Sequence, residues 1–269
     1  FCSLGVQVYC VGIIGDDGDG YDLKHALQAI GANTDYLATD ENRKTVACIR
    51  PIIDGTPCSK AHELMCVNEV KPSRHVIDYV TNHLEHIFDL VDAVVIVEQF
   101  DKPENNLLNN NFKKLISKYA LLKPEKIIIA DSRDYIDSYE NILLKCNQYE
   151  LLNVYRNTGS MATSISALLK KNAAMFVTQG EKGIAFYSSD ASALIPGISV
   201  YGPIYTCGAG DAATVGIVSG LYLGYDYYQA AMLGNLIASI TIKQLDSTGV
   251  ATIADVIKAN QMAAMCVFA

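Results

Sequence analysis

The 269-residue chain predicts an α/β fold of three layers, in which helices cover both faces of a mostly parallel sheet. Three observations predict it. Short, fully apolar runs alternate with segments of helical spacing between residues 72 and 178. Those runs turn polar only at their C-terminal ends, at Glu98, Asp131, Lys145 and Thr178, where parallel sheets place their ligands. Late in the chain, Gly208, Ala209, Gly210 and Asp211 open a long apolar helix.

Taken in order, residues 6–14 are an apolar strand that runs into a loop at Gly15, Asp16, Asp17 and Gly18. Residues 21–30 have helical spacing through Leu23, Ala26, Leu27 and Ile30, and stop at Gly31. The texture then changes. Over 34–70, β-prone pieces at 45–53 and 64–67 are broken by Asp54, Gly55 and Pro57. This predicts a small antiparallel β lid inserted between core segments 1–33 and 71–269. Residues 72–90 read as a helix and 93–97 as a strand ending at Glu98. A helix at 107–122, a strand at 126–130 ending at Asp131, and a strand at 142–144 ending at Lys145 follow. Then come a helix at 160–169, a strand at 173–177 ending at Thr178, and two consecutive helices at 212–223 and 227–243.

Bulk properties narrow the partners. A net charge of -8 offers no basic excess for nucleic acid. No apolar run approaches the roughly 20 residues of a membrane span, and no signal-peptide pattern is visible, so a cytoplasmic protein without a membrane partner is expected. The 8 cysteines form no C-x-x-C pair and read as free thiols. Cys58, His62 and Cys66 have helical spacing, but Pro57 and the missing fourth ligand argue against zinc. The chain opens at Phe1 on what reads as the end of an element, so the natural protein is expected to extend further upstream.

The chemistry concentrates at residues 208–211. A Gly-Ala-Gly turn at a helix start leaves backbone N–H groups unpaired at the positive end of the helix dipole, which suits anionic oxygen. Asp211 is either a favourable partner for that dipole or a base. Donors for developing charge together with a base for a hydroxyl proton make the set needed for phosphoryl transfer to an alcohol. A dinucleotide site is the first competitor, since residues 208–213 fit G-x-G-x-x-A. However, a second helix rather than a strand follows, and Tyr228 stands where an acidic residue is required. Gly180 to Gly183 lacks the length and the Lys-Ser/Thr of a Walker A loop.

At this point the chain resembles the ribokinase-like (PfkB) carbohydrate kinases, on four motifs in the right order. Val11, Gly12, Gly15, Asp17 and Gly20 look like the early V-G-x-x-G-x-D-x-x-G segment. Asn147 and Glu150 match N-x-x-E, while Thr178, Gly180 and Gly183 match T-x-G-x-x-G. Residues 208–211 match G-A-G-D, the most specific of the set.

The resemblance implies a ribokinase-like fold, ATP and Mg²⁺ as cofactors, and a sugar or sugar phosphate as substrate. By position, Asp211 would be the base, and Gly208, Ala209 and Gly210 the anion hole. Asn147 and Glu150 would organise the metal, unless they are merely a turn residue and a helix-start acid. Thr178, Gly180 and Gly183 would line the nucleotide. Asn235 would face either the adenine or the core, and Glu98 would contact the sugar. The lid would close over the sugar and could carry a homodimer; within it Arg43, Thr45 and Arg50 are either ligands of an anionic substrate or solvated.

Asp131, Ser132 and Arg133, leading into the Asn147 strand, look closest to the heptose-phosphate kinase branch. The departures are Tyr205, where the family has a cation-holding Asp, Cys207 in place of a small hydroxyl residue, and the missing opening strand and sugar motif. Monovalent-cation activation is therefore not expected. A nucleoside kinase of the same fold and a catalytically weak binding or regulatory protein are the competing readings.

Overall fold

The computed structural model describes residues 1–49, 51–53, 56–57, 64–99, 102–154, 160–245 and 248–266. Arg50, Cys58 and His62 lie outside the described residues.

The apolar runs build the centre of a six-stranded sheet. Strands Ala93–Glu98, Ile127–Ser132, Leu143–Asn147 and Ala174–Thr178 are parallel neighbours, and Ile184–Ser188 and Ser192–Ile195 add an antiparallel hairpin at one edge. With the strands of the N-terminal region numbered first, these six are β7 to β12. The sheet is mostly parallel, as its uninterrupted Val/Ile/Leu texture requires when both faces are covered. The hairpin β11–β12 was not foreseen from the sequence.

Helices supply the outer layers. On one face, α2 (Arg74–Leu90) and α3 (Asn110–Leu122) bury Val80, Leu84, Phe88, Phe112 and Ile116 against Ile96, Ile128 and Ala130. On the same face, α4 (Gln148–Val154) and α5 (Met161–Leu169) contribute Leu151 and Leu168. On the other face, α6 (Ala209–Tyr222) and α7 (Tyr227–Thr241) pack Ala213, Ile217 and Ala231 over Ile129 and Phe176. A final helix, α8 (Ile253–Cys266), lies beside α7. Between α6 and α7 the backbones nearly touch: a Cβ on Gly216 would stand 2.6 Å from Gly234 Cα. That contact fixes where the N-terminus of α6 points.

The N-terminal strand is shorter than expected. Only Gly12–Gly15 (β1) is regular, pairing in parallel with Leu37–Asp40 (β2), and α1 (Gly18–Ala29) follows β1. Before it, Tyr9 makes a single bridge to Asn33. Residues 37–40, expected in the lid, thus pair with the first strand. The antiparallel pairs lie further along, at Ala47–Ile49 (β3) with Leu64–Cys66 (β6), and at Ile52–Ile53 (β4) with Thr56–Pro57 (β5).

The two ends of this excursion are tied together. Asp40 accepts from the Ser73 amide and hydroxyl, both at 2.7 Å, and Arg43 Nη1 donates to the Val70 carbonyl at 2.6 Å. Thr45 donates from its amide and hydroxyl to the Asp17 carboxylate, at 2.9 and 2.7 Å. Arg43 and Thr45 are therefore not solvated; both are buried in the root of this segment.

Candidate functional site

The C-terminal ends of the sheet strands and the N-terminus of α6 enclose a cleft of ≈ 360 Å³. Its wall includes Asp131, Lys145, Glu150, Thr178, Gly208 and Asp211. The register explains why these meet. Asp131 lies opposite Lys145 across β8–β9, and Thr178 opposite Asn147 across β9–β10. Side chains alternate along a strand, so Asp131 and Lys145 emerge on the face of Ile129 and Phe176, beneath α6.

The turn before α6 takes the left-handed conformation at Gly208, with φ 79°. This suits glycine. The Ala209 N–H is turned inward to the Thr206 carbonyl at 3.1 Å, and Ala212 N–H returns to Gly208 O at 2.9 Å. Among the described residues, the N–H groups of Gly210 and Asp211 have no acceptor, as expected of a first helical turn. The expected donor Ala209 is therefore replaced by Asp211, because the tight turn consumes the Ala209 proton. Asp211 itself is exposed to the cleft, and its carboxyl titrates above the ordinary aspartate range. Burial of its surroundings is the main cause; Asp131 adds to it, while Lys145 and Arg133 oppose it.

Asn147 and Glu150 form a reciprocal cap at the start of α4. Asn147 Oδ1 accepts from the amides of Tyr149 and Glu150, both at 2.9 Å, and Glu150 Oε2 accepts from the Asn147 amide at 2.7 Å. Both lone pairs of Asn147 Oδ1 are thereby used, which favours the turn-residue alternative for Asn147. Glu150 keeps its second oxygen for the cleft. Its carboxyl also titrates above the usual range, chiefly through burial and against the Asn147 hydrogen bond.

The nucleotide-side expectations divide. Thr178, Gly180, Gly183 and Asn235 all line the cleft. Gly183, however, has φ 96°, and a Cβ there would stand 2.1 Å from the Ile195 carbonyl oxygen, so the hairpin itself requires this glycine. Asn235 is buried, and its Nδ2 donates to the Ile195 and Pro196 carbonyls at 3.0 and 3.1 Å. It ties α7 to the end of β12, the core alternative of the sequence reading.

Glu98 is the clear displacement. Alternation sends it to the α3 face, away from Asp131, where it is 3% exposed. Lys113 Nζ lies 2.6 Å from its Oε1, while Ser132 and Tyr139 donate to Oε2 at 2.7 and 3.1 Å. Oε1 accepts no aligned hydrogen bond, so the Lys113 charge alone compensates it. The next residue, Gln99, is the one that lines the cleft. Two cationic cleft residues were underused in the sequence reading: Lys145, and Arg133, which is exposed there. The signal for them was a basic residue at or just beyond the end of an apolar strand.

The donor set fits a nucleotide phosphate with Mg²⁺. Open amides, a buried ammonium and the Glu150 and Asp211 carboxylates line the same cleft. Among the described residues no cluster of three or more His, Cys, Asp or Glu could hold a metal by itself. That suits Mg²⁺, which keeps waters and shares its coordination with substrate phosphates.

Comparison with known proteins gives the family and the fold. Residues 116–253 match the family described as pfkB family carbohydrate kinase. The chain is 24% identical to the bifunctional protein HldE of Helicobacter hepaticus over 269 residues, covering 95% of this chain and 53% of that protein. It thus spans about half the length of that relative. It is 25% identical to the ribokinase of Bacillus subtilis, over 91% of this chain and 78% of that one.

Among solved structures, Arabidopsis thaliana ribokinase complexed with ribose and ATP superposes with a TM-score of 0.71 at 17% identity, covering 96% of this chain and 83% of that one. An E. coli protein described as a ribokinase II, in complex with ATP and Mg²⁺, gives 0.74 at 14%, covering 97% and 85%. These likenesses establish a ribokinase-like fold. No helix among the described residues is long and apolar enough to cross a membrane.

Proposed function

The chain belongs to the pfkB family of carbohydrate kinases, and on that premise we propose that it phosphorylates a hydroxyl of a sugar or sugar phosphate, with Asp211 as the base. The observation that supports this most directly is the pairing of open Gly210 and Asp211 amides with an Asp211 carboxylate in one cleft. ATP with Mg²⁺ supplies the activated phosphoryl group and neutralises its charge. Glu150 would orient the metal's waters, while Asn147 fixes the start of α4. Thr178 and Gly180 would line the nucleotide, and Gly183 and Asn235 would shape its wall.

Asp211 takes the acceptor's hydroxyl proton as the acceptor oxygen bonds to phosphorus. The bond to the bridging oxygen breaks, and its electron pair leaves with the diphosphate. The raised titration of Asp211 suits it to receive that proton. The antiparallel strands of 41–70 would act as a lid that excludes water from the acceptor. Ile49, Leu64 and Met65, exposed on β3 and β6, support a homodimer through that lid, in a cytoplasmic protein. Light scattering of wild type and Ile49→Lys tests the dimer; equal masses for both refute it.

The test of function is ADP release with a panel of sugars, sugar phosphates (heptose phosphates among them) and nucleosides. Asp211→Asn is expected to lower turnover by about 10²–10⁴. Turnover with nucleosides alone would assign the nucleoside reading, and none above background with any acceptor would overturn the kinase reading.

A further inference from the structure

We propose that Lys145 is a second charged contact for the transferring phosphoryl group, its ammonium held by Asp131 against Gly210 at the first turn of α6. The proposal rests on the kinase reading above and adds a catalytic residue to it.

The structure buries two lysines at the ends of these strands, one on each face of the sheet, and their surroundings differ. Lys113 is surrounded by partners. It meets Glu98 at 2.6 Å, donates to Ser138 Oγ at 2.9 Å, and lies 4.6 and 5.1 Å from the ring centres of Tyr139 and Tyr135. Lys145 is equally buried, with 5% of its side chain exposed, yet its ammonium has one partner, Asp131 Oδ2 at 2.5 Å. An ammonium carries three donors. Two of them therefore lack a protein acceptor among the described residues, in a group taken out of water and facing the cleft. Lysine is seldom buried without a partner, and here the donors left over by Asp131 face the cleft, where an anionic oxygen of the substrate would complete the set.

Gly210 sets the geometry. A Cβ on this residue would stand 3.0 Å from Lys145 Nζ, so the missing side chain keeps the ammonium directly against the backbone that carries the open amides. Asp131 is the positioning residue: cross-strand register puts it opposite Lys145, and its carboxylate holds the flexible chain in one place. Lys145 also lowers the titration of Asp211 against the effect of burial, so one ammonium serves both the base and the phosphoryl group. It gives up no proton in the transfer; it offsets charge on the non-bridging oxygens.

The test is equilibrium binding of MgATP and MgADP, by calorimetry, to wild type, Lys145→Met and Gly210→Ala. Lys145→Met is expected to weaken MgATP by at least about tenfold while changing MgADP by less than about twofold, since only ATP carries the group that Lys145 meets. Gly210→Ala, which keeps the charge but crowds the ammonium, is expected to show the same preference for ADP with an unchanged melting temperature, and decides the matter if Lys145→Met does not fold. Equal losses for both nucleotides, or no loss for either, would overturn the proposal and leave the kinase reading standing. Failure of wild type to bind either nucleotide would overturn both.

Discussion

Gly216 on α6 and Gly234 on α7 lie so close that a Cβ on Gly216 would stand 2.6 Å from both the Cα and the amide nitrogen of Gly234. The same Cβ would meet the Leu233 carbonyl oxygen at 2.6 Å, so backbone and not a yielding side chain fills the space. The first turn of α6, with its open amides and Asp211, is held in place from behind by this contact. Gly216→Val is expected to destabilise the fold by about 1–3 kcal/mol, the usual range for overpacking, and to lower turnover as the first turn shifts. Urea denaturation with parallel assays checks it; loss of stability without loss of turnover would show that the contact does not position the site.

Lys113 and Glu98 make a second measurable claim. Removing one partner of a buried ion pair strands the other charge, at a cost of about 3–5 kcal/mol. Lys113→Met is expected to fall in that range. The double variant Lys113→Met, Glu98→Gln should recover most of it, because no bare carboxylate is left. Thermal and urea unfolding of both variants decide it, and a double variant no more stable than the single one would refute the account.

Asn147 and Glu150 should separate in function. Asn147→Ala removes a helix cap and is expected to cost about 1 kcal/mol of stability. Glu150→Gln can still close the cap but loses its charge, so it is expected to raise the Mg²⁺ concentration needed for half-maximal rate by about tenfold or more. A Mg²⁺ titration that moved with Asn147→Ala and not with Glu150→Gln would reverse these roles.

Asp211 carries a prediction about pH whose sign follows from its raised titration. Burial disfavours the ionised carboxylate in the folded state, so the charge costs stability above the folded pKa, and that cost disappears as pH falls below it. Asp211→Asn, besides lowering turnover, should therefore raise the melting temperature at pH 7. In wild type, the acid limb of kcat/KM should lie above the ordinary aspartate value. Lys145→Met, which removes a charge that favours the carboxylate, should move that limb further up. A limb left unmoved by Lys145→Met would show that the ammonium does not reach the base.

What was legible in the sequence follows the physics of each element. Residues 93–97 and 127–130 were readable as strands because helices on both faces of the sheet leave an uninterrupted apolar run. The Ile184–Ser188 and Ser192–Ile195 hairpin escaped because a short edge pair with small and polar residues at Ala185, Ser192 and Ala193 has no such texture. Glu98 was placed in the cleft because the end of the strand was read without its face. One residue separates a side chain above the sheet from one below it. The missing clue lay on α3, where Lys113 shares the buried stripe of Phe112, Ile116 and Ala120 and so announces an acid beneath the helix. The Asn147–Glu150 pair was readable as a motif but not as a cap, since the same two residue types serve either role.

The tie between Asp40 and Ser73, reinforced by Arg43 and Val70, makes the excursion from 41 to 72 a loop whose two ends share one anchor. Closing a longer loop at such an anchor costs little, because the entropy grows only as the logarithm of its length. Insertions and deletions between those ends are therefore expected to be absorbed without moving the sheet, α6 or Asp211. The segment between Asp40 and Ser73 can therefore vary in length while the six-stranded sheet and the α6–α7 pair keep their arrangement.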